Sequence, residues 1–215
     1  MKRPVRAILI ALILIGFIKN GFSDDYKRDI FILGVQLGGA ECIASLFEGF
    51  PTTDKPGALD LIKRNLIWSI DTARRMGDAA NALVQLQSKI DKLSFKEIHD
   101  QLLSAITSEQ MTWASASTQI SGLFILGVHL EGAECIASEV QSFERKDKPG
   151  SFDLIRRNVL WIQQEVRNVN LGLATNSVDD LLKAMDEGTS FKNILDRLAK
   201  IRTAWQEELQ AQSAF

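Results

Sequence analysis

Two stretches of the chain are apolar on nearly every side, and each is long enough for a helix. In the first, residues 30–47, Gln36 and Glu41 are the only large polar side chains; the second covers about residues 118–143. Their many glycines and alanines are untypical of a strand, whereas a helix that is apolar all round is typical of a protein core. The pattern therefore predicts two buried central helices.

The two stretches are copies of one another. Residues 31–45 and 124–138 agree at 13 of 15 positions, all at an offset of 93, and the agreement extends to Trp68 and Trp161 with 24 of 38 positions identical. A period of roughly 90 residues is too long for the common solenoid repeats. The sequence therefore predicts a tandem duplication of one helical unit.

Small residues are kept in both copies of the central helix. Gly34 and Gly39 recur as Gly127 and Gly132. A glycine inside a helix costs about 1 kcal/mol relative to alanine. We therefore expect a compensating close approach between helices at these positions.

Each copy contains three further helical segments. An Asp-Lys-Pro-Gly turn precedes the second helix, and its proline lies in the first turn, where a missing N–H does no harm. Ser94 and Glu97 form a capping box that starts the fourth helix, and Ser190 is the counterpart of Ser94 at an offset of 96. The predicted segments are 58–76, 78–93 and 94–116 in the first copy, and 151–168, a helix capped near Ser177, and 190–210 in the second.

No strand–turn–strand signal interrupts these segments. The predicted fold is all-α, with eight helices in two similar antiparallel bundles, or in one merged bundle, related by pseudo-twofold symmetry. The predicted division is a signal peptide at 1–23, helical repeat 1 at 24–116 and helical repeat 2 at 117–215.

The N-terminal residues have the pattern of a secretory signal. Lys2, Arg3 and Arg6 precede an apolar run at residues 7–18, and a small residue, Ser23, offers a cleavage position. The run is shorter than the about 20 residues of a membrane span. We expect export to the periplasm or secretion; an uncleaved membrane anchor is the alternative.

Charge narrows the class of partner. The chain holds 25 basic and 27 acidic residues, and four of the basic residues lie in 1–23, so the mature chain would carry 21 basic and 27 acidic residues, a formal net charge of −6. No basic cluster is present, which argues against nucleic acid as a partner.

No catalytic or cofactor signature is present in the sequence. The two histidines, His99 and His129, occupy non-equivalent positions, and there is no Glu-x-x-His pair, haem-attachment motif or zinc-type cysteine cluster. We therefore predict a protein that is not an enzyme and has no cofactor or resident metal.

The only cysteines, Cys42 and Cys135, are equivalent in the two copies. In an exported protein such a pair favours a disulfide, which would form where the central helices cross near a pseudo-twofold axis. Two separate buried thiols, or a metal or redox role, are the alternatives.

Four charged residues are the candidate site. Glu41 and Glu134 lie mid-helix in apolar surroundings, where an unpaired carboxylate is costly. Arg64 and Arg157 lie at matching levels across each helical hairpin, which predicts two equivalent buried ion pairs. Alternatively, these four side chains form a polar ligand site for an anion, or the two carboxylates bind a metal.

Two functions follow from the sequence. The first is an exported, non-enzymatic binding or scaffold module with an unknown protein partner. The second is a carrier of an anionic small ligand or a metal ion, held between the two repeats. A membrane would be a partner only if the N-terminal segment is uncleaved.

Overall fold

The computed structural model describes residues 24–169 and 171–212, and this part of the chain consists of helices and turns. The all-α prediction is confirmed for these residues, which form eight α-helices. The predicted secretory signal, residues 1–23, lies outside them. The helices are α1 (Asp24–Leu46), α2 (Pro56–Arg75), α3 (Asn81–Lys89), α4 (Phe95–Ala116), α5 (Thr118–Val140), α6 (Pro149–Val169), α7 (Gly172–Asp186) and α8 (Phe191–Gln212).

The first helix begins earlier than its apolar stretch. α1 starts at Asp24, in a polar segment that the hydrophobic pattern left out. Asp29 in this segment is buried, and the Arg75 guanidinium at the end of α2 donates to both of its carboxylate oxygens at 3.3 Å. This ion pair attaches the first turns of α1 to α2, so the helix extends beyond its apolar part.

The two central helices, α1 and α5, pack directly against each other. A Cβ atom on Gly34 would lie 2.1 Å from the carbonyl oxygen of Phe124, and one on Gly127 would lie 2.3 Å from that of Phe31. These distances are too short for any side chain, so glycine is what permits the close approach. The predicted approach is confirmed at Gly34, whereas Gly39 faces side chains and not the backbone of α5.

The remaining helices surround this central pair. α2 packs on α1 and α6 on α5, while α4 and α8 each contact both central helices. The short helices α3 and α7 pack on the helices that follow and precede them. One hydrophobic core runs through all of these contacts, and it includes Trp205 on α8, which meets Phe31 on α1 edge to face with ring centroids 6.1 Å apart.

The structure contains the predicted disulfide. Cys42 on α1 and Cys135 on α5 are bonded, with their Cα atoms 6.5 Å apart. The bond joins the central helices beyond the point where their glycines meet. The alternative of two separate thiols therefore does not apply to this structure.

The central helices are also apolar enough to suggest a membrane span. In the described part of the chain, segments Asp25–Leu46 and Thr118–Val140 meet the length and hydropathy expected of one, and 61% of the most apolar window of each is buried inside the protein. Their position at the centre of the bundle accounts for this composition without a membrane.

Candidate functional site

Glu41 does not pair with Arg64 as predicted. Its Oε1 atom lies 2.8 Å from Nε2 of His99 on α4, and Nδ1 of the same histidine contacts the Glu48 carboxylate. Arg64 is exposed on α2. The partner of Glu41 is therefore supplied by the fourth helix of its half and not by the second.

Glu134 likewise does not pair with Arg157, which is exposed on α6. The Glu134 side chain is buried, and its Oε2 atom lies 2.8 Å from Nη2 of Arg202 on α8. The other guanidinium nitrogen of Arg202 lies 3.0 Å from Glu131. Burial raises the pKa of Glu134 to about 7 and also raises that of Glu131, and the nearby Arg202 opposes both shifts.

Both errors have the same physical reason. Matching distances around a hairpin place two residues at one level along the helices, but they do not fix the direction in which a side chain points. α2 turns Ile62 and Leu66 into the core, and Arg64 lies midway between them, on the opposite side of the helix. Arg157 has the same relation to its neighbours on α6.

The four predicted site residues therefore do not converge on one pocket. Glu41 lines a groove, Glu134 is paired with Arg202, and both predicted arginines face solvent. In the described part of the chain no three His, Cys, Asp or Glu side chains are grouped as metal ligands. A ligand-binding role for these four residues stays a prediction.

A groove lies between α1, α4, α5 and α6, next to the disulfide. Its volume is about 470 Å³, within the range of small-ligand pockets, and Cys42 forms part of its wall. Most of the wall is apolar. The less exposed aliphatic side chains of α4 and α5 that line it are Ile106, Ile125, Val128 and Ile136.

Apolar side chains also form the rim of this groove. Leu46, Leu103, Leu154 and Trp161 come from three helices, and each is between 40% and 45% exposed. A group of exposed apolar side chains around a concave surface is typical of a binding site.

Three polar side chains of the groove, Glu41, His129 and Asn158, are oriented by hydrogen bonds. Nδ1 of His129 lies 3.0 Å from Oδ1 of Asn158, whose amide nitrogen donates to the Leu154 carbonyl. Burial lowers the pKa of His129, so the ring is neutral at pH 7 and its one proton is on Nδ1, donated to Asn158. Nε2 of His129 is then a hydrogen-bond acceptor. The ring is held against Trp161, with centroids 4.5 Å apart.

The equivalent surface in the other half is filled by charged side chains. Glu131 extends over Gly39 and Asn65, the counterparts of Gly132 and Asn158, and pairs with Arg202. In the open half these two charged positions are Gly38 and Ile106. At these two pairs of positions, matched by the offsets of 93 and 96, charged side chains cover one surface and are absent from the groove.

Two residues important to this region could not be identified from the sequence. In the sequence His99 is distinguished only by its lack of an equivalent, and Arg202 carries no signal, because both come from helices whose orientation is set by tertiary packing. Comparisons of the chain with known protein families, with curated proteins and with solved structures give no significant match.

Proposed function

We propose that this protein is an exported, non-enzymatic helical binding module that uses the groove between α1, α4, α5 and α6. The observation that carries the proposal is the apolar rim of Leu46, Leu103, Leu154 and Trp161 around a concave surface. Folding leaves these apolar side chains in contact with water. A bound partner or ligand would cover them and release that water.

Two features support export to the periplasm or secretion. The Cys42–Cys135 disulfide is typical of an oxidising compartment, and residues 1–23 have the pattern of a secretory signal. Intact-mass measurement of protein recovered from the cell envelope or the medium tests this part. A mass that lacks residues 1–23 is expected; a mass that retains them would indicate an anchor.

We also propose that repeats 24–116 and 117–215 arose by duplication and are related by a pseudo-twofold axis. In this proposal the single duplicated chain replaces an ancestral homodimer. Reciprocal contacts support this proposal: Gly34 meets Phe124, Gly127 meets Phe31, and the disulfide joins equivalent cysteines. α4 and α8 also make corresponding contacts, because each packs against both α1 and α5.

A second candidate function, a small-ligand carrier with its site between the repeats, is favoured by the groove volume of about 470 Å³. Neither Arg64 nor Arg157 lines this groove, so its geometry gives no support to the anionic ligand that the sequence suggested. The two candidate functions use the same groove. They differ in what occupies it, which is a protein partner for the binding module and a small ligand for the carrier.

The duplicated sequence provides a matched test of the site. Trp161 lines the groove, whereas its equivalent, Trp68, lies on α2 outside it and is exposed to a similar degree, 49% against 45%. Titration with the neutral apolar fluorophore N-phenyl-1-naphthylamine should reveal one saturable site per chain. Trp161→Ala should weaken its affinity about tenfold, and Trp68→Ala by less than about twofold.

The proposal fails if the fluorophore does not bind at one site, or if the two tryptophan substitutions have equal effects. Circular dichroism and thermal unfolding of both variants serve as the folding control. Both tryptophans are nearly half exposed, so neither substitution should disrupt the core.

A further inference from the structure

We propose that the groove selects amphiphilic ligands with a cationic amine head, with the Glu41 carboxylate as counter-ion and Nε2 of His129 as a hydrogen-bond acceptor. This inference rests on the proposed binding function and adds the chemical class of the ligand. It reverses the sign of charge that the sequence suggested for a small ligand.

The charges around the groove carry the inference. Glu41 lines the groove, and none of the described residues that line it is Lys or Arg. The basic side chain that contacts Glu41 is the imidazole of His99, and this ring also contacts Glu48. Even a protonated His99 offsets only one of these two carboxylates. The local charge is therefore negative, which favours a cation and repels an anion.

Arg157 does not change this balance. It lies on α6 between Leu154 and Trp161 in sequence, but its side chain is exposed and does not line the groove. The arginine of the other half, Arg202, is paired with Glu131 and Glu134. No guanidinium among the described residues is thus directed into the groove.

Among the remaining polar groups, His129 favours a donor on the ligand, whereas Ser45, Gln110 and Ser151 can donate or accept. Asn158 donates to the Leu154 carbonyl and accepts from Nδ1 of His129, so the ring presents the acceptor Nε2. The His129 ring also packs against Trp161, with the two ring planes tilted by 40°. An ammonium group carries three donors and no acceptor, which complements a carboxylate and an imidazole lone pair.

The apolar wall accounts for the rest of the ligand. Ile106, Ile125, Val128 and Ile136 offer no hydrogen-bonding groups, and the groove volume of about 470 Å³ admits an alkyl chain of moderate length. A ligand with a cationic head and an aliphatic body satisfies both parts of the groove.

Isothermal titration calorimetry with three probes of equal chain length at pH 7.5 tests the inference: dodecylamine and laurate below their micellar concentrations, and dodecanol below its solubility limit. Dodecylamine should bind at one site per chain, at least about tenfold more tightly than laurate, with dodecanol between them. Laurate binding as tightly as dodecylamine would overturn the inference without any variant.

The equivalent carboxylates provide the control. Glu41→Gln should bring dodecylamine and dodecanol to within about threefold of each other, while Glu134→Gln, outside the groove, should leave the preference for amine unchanged. An unchanged preference in Glu41→Gln would also overturn the inference. Thermal unfolding of each variant monitors folding, and the wild-type comparison of amine with laurate decides the matter should Glu41→Gln fail to fold.

The failure of this inference is distinguishable from failure of the proposed function. If all three probes bind equally and Trp161→Ala weakens all of them, the groove binds ligands without selecting charge. If no probe binds, and the neutral fluorophore does not bind either, the groove is not a ligand site and both proposals fall.

Discussion

Glu134 has a carboxylate that folding removes almost completely from water. Its residue is 5% exposed, and burial raises its pKa to about 7 although Arg202 is 2.8 Å away. The unfolded chain is therefore ionised at Glu134 between about pH 4.5 and 7, where the folded chain holds a proton. Linkage then requires this group to stabilise the fold on acidification and to destabilise it as the pH rises.

The first prediction follows from this direction of the change in stability with pH. Glu134→Gln should be more stable than the wild type at pH 8 by about 1–3 kcal/mol, and the difference should shrink toward zero at pH 5. The comparison is made between variants because the pKa of His129 is shifted in the opposite sense. Urea denaturation at both pH values measures it. A wild type that is the more stable of the two at pH 8 would contradict the shift.

The second prediction distinguishes the observed ion pairs from the expected ones. Arg202→Met leaves Glu131 and Glu134 without a cation, and it should cost about 1–3 kcal/mol at pH 8, less than a fully buried pair because Arg202 is one-third exposed. Arg157→Met, at an exposed position, should cost less than about 0.5 kcal/mol. Equal losses of stability in the two variants would contradict this account and favour the pairing of Glu134 with Arg157 that the hairpin spacing predicts.

At the scale of elements, the crossing of α1 and α5 depends on glycine. A methyl group on Gly34 meets the Phe124 carbonyl at 2.1 Å, so Gly34→Ala must separate the two helices. We expect a loss of about 3 kcal/mol in the free energy of unfolding. Gly57, in the first turn of α2, has no neighbouring atom within 4 Å of its added Cβ.

Gly57→Ala is therefore the control for this third prediction. It should be neutral or stabilise the fold by up to about 1 kcal/mol, since alanine reduces the freedom of the unfolded chain. Chemical denaturation of the two alanine variants compares them directly. If Gly34→Ala were as harmless as Gly57→Ala, the close crossing would be wrong.

Local signals predicted the elements well. The all-round apolar stretches became the two central helices, and the capping box formed as expected, with Ser94 N–H donating to Glu97 at 2.7 Å. The comparable signal at Ser177 was wrong, because α7 begins at Gly172 and Ser177 lies inside it. The buried Leu171 holds the start of α7 in the core, and this packing overrides the capping preference.

The candidate site was harder to predict than the fold. Glu41 was identified because a carboxylate in an apolar helix is conspicuous in a sequence. The groove itself depends on how α4 packs against both central helices and α6 against α5, which no local pattern specifies. The matched sequence offsets did contain a usable signal: Glu131 and Arg202, which pair over one surface, correspond to Gly38 and Ile106 on the side of the groove.

At the scale of the whole molecule, the disulfide joins residues 93 positions apart, Cys42 and Cys135. In the chain-entropy model a loop of this length stabilises the fold by about 4–5 kcal/mol, less any strain. The fourth prediction is that Cys42→Ser with Cys135→Ser lowers the free energy of unfolding by about that amount at most. Non-reducing peptide mapping should recover both cysteines in one linked fragment, and two freely alkylated thiols in the exported protein would contradict the bond.

We propose that, of two surfaces that correspond by the sequence offset of 93, one is an open binding groove. Trp161 lies in that groove against His129, and its equivalent, Trp68, lies outside it. The most direct measurement is a two-dimensional NMR titration of the wild-type protein with N-phenyl-1-naphthylamine, following the indole N–H resonances assigned with the two alanine variants. The resonance of Trp161 should shift in a saturable manner while that of Trp68 stays in place; equal shifts of both, or a shift of Trp68 alone, would contradict the claim.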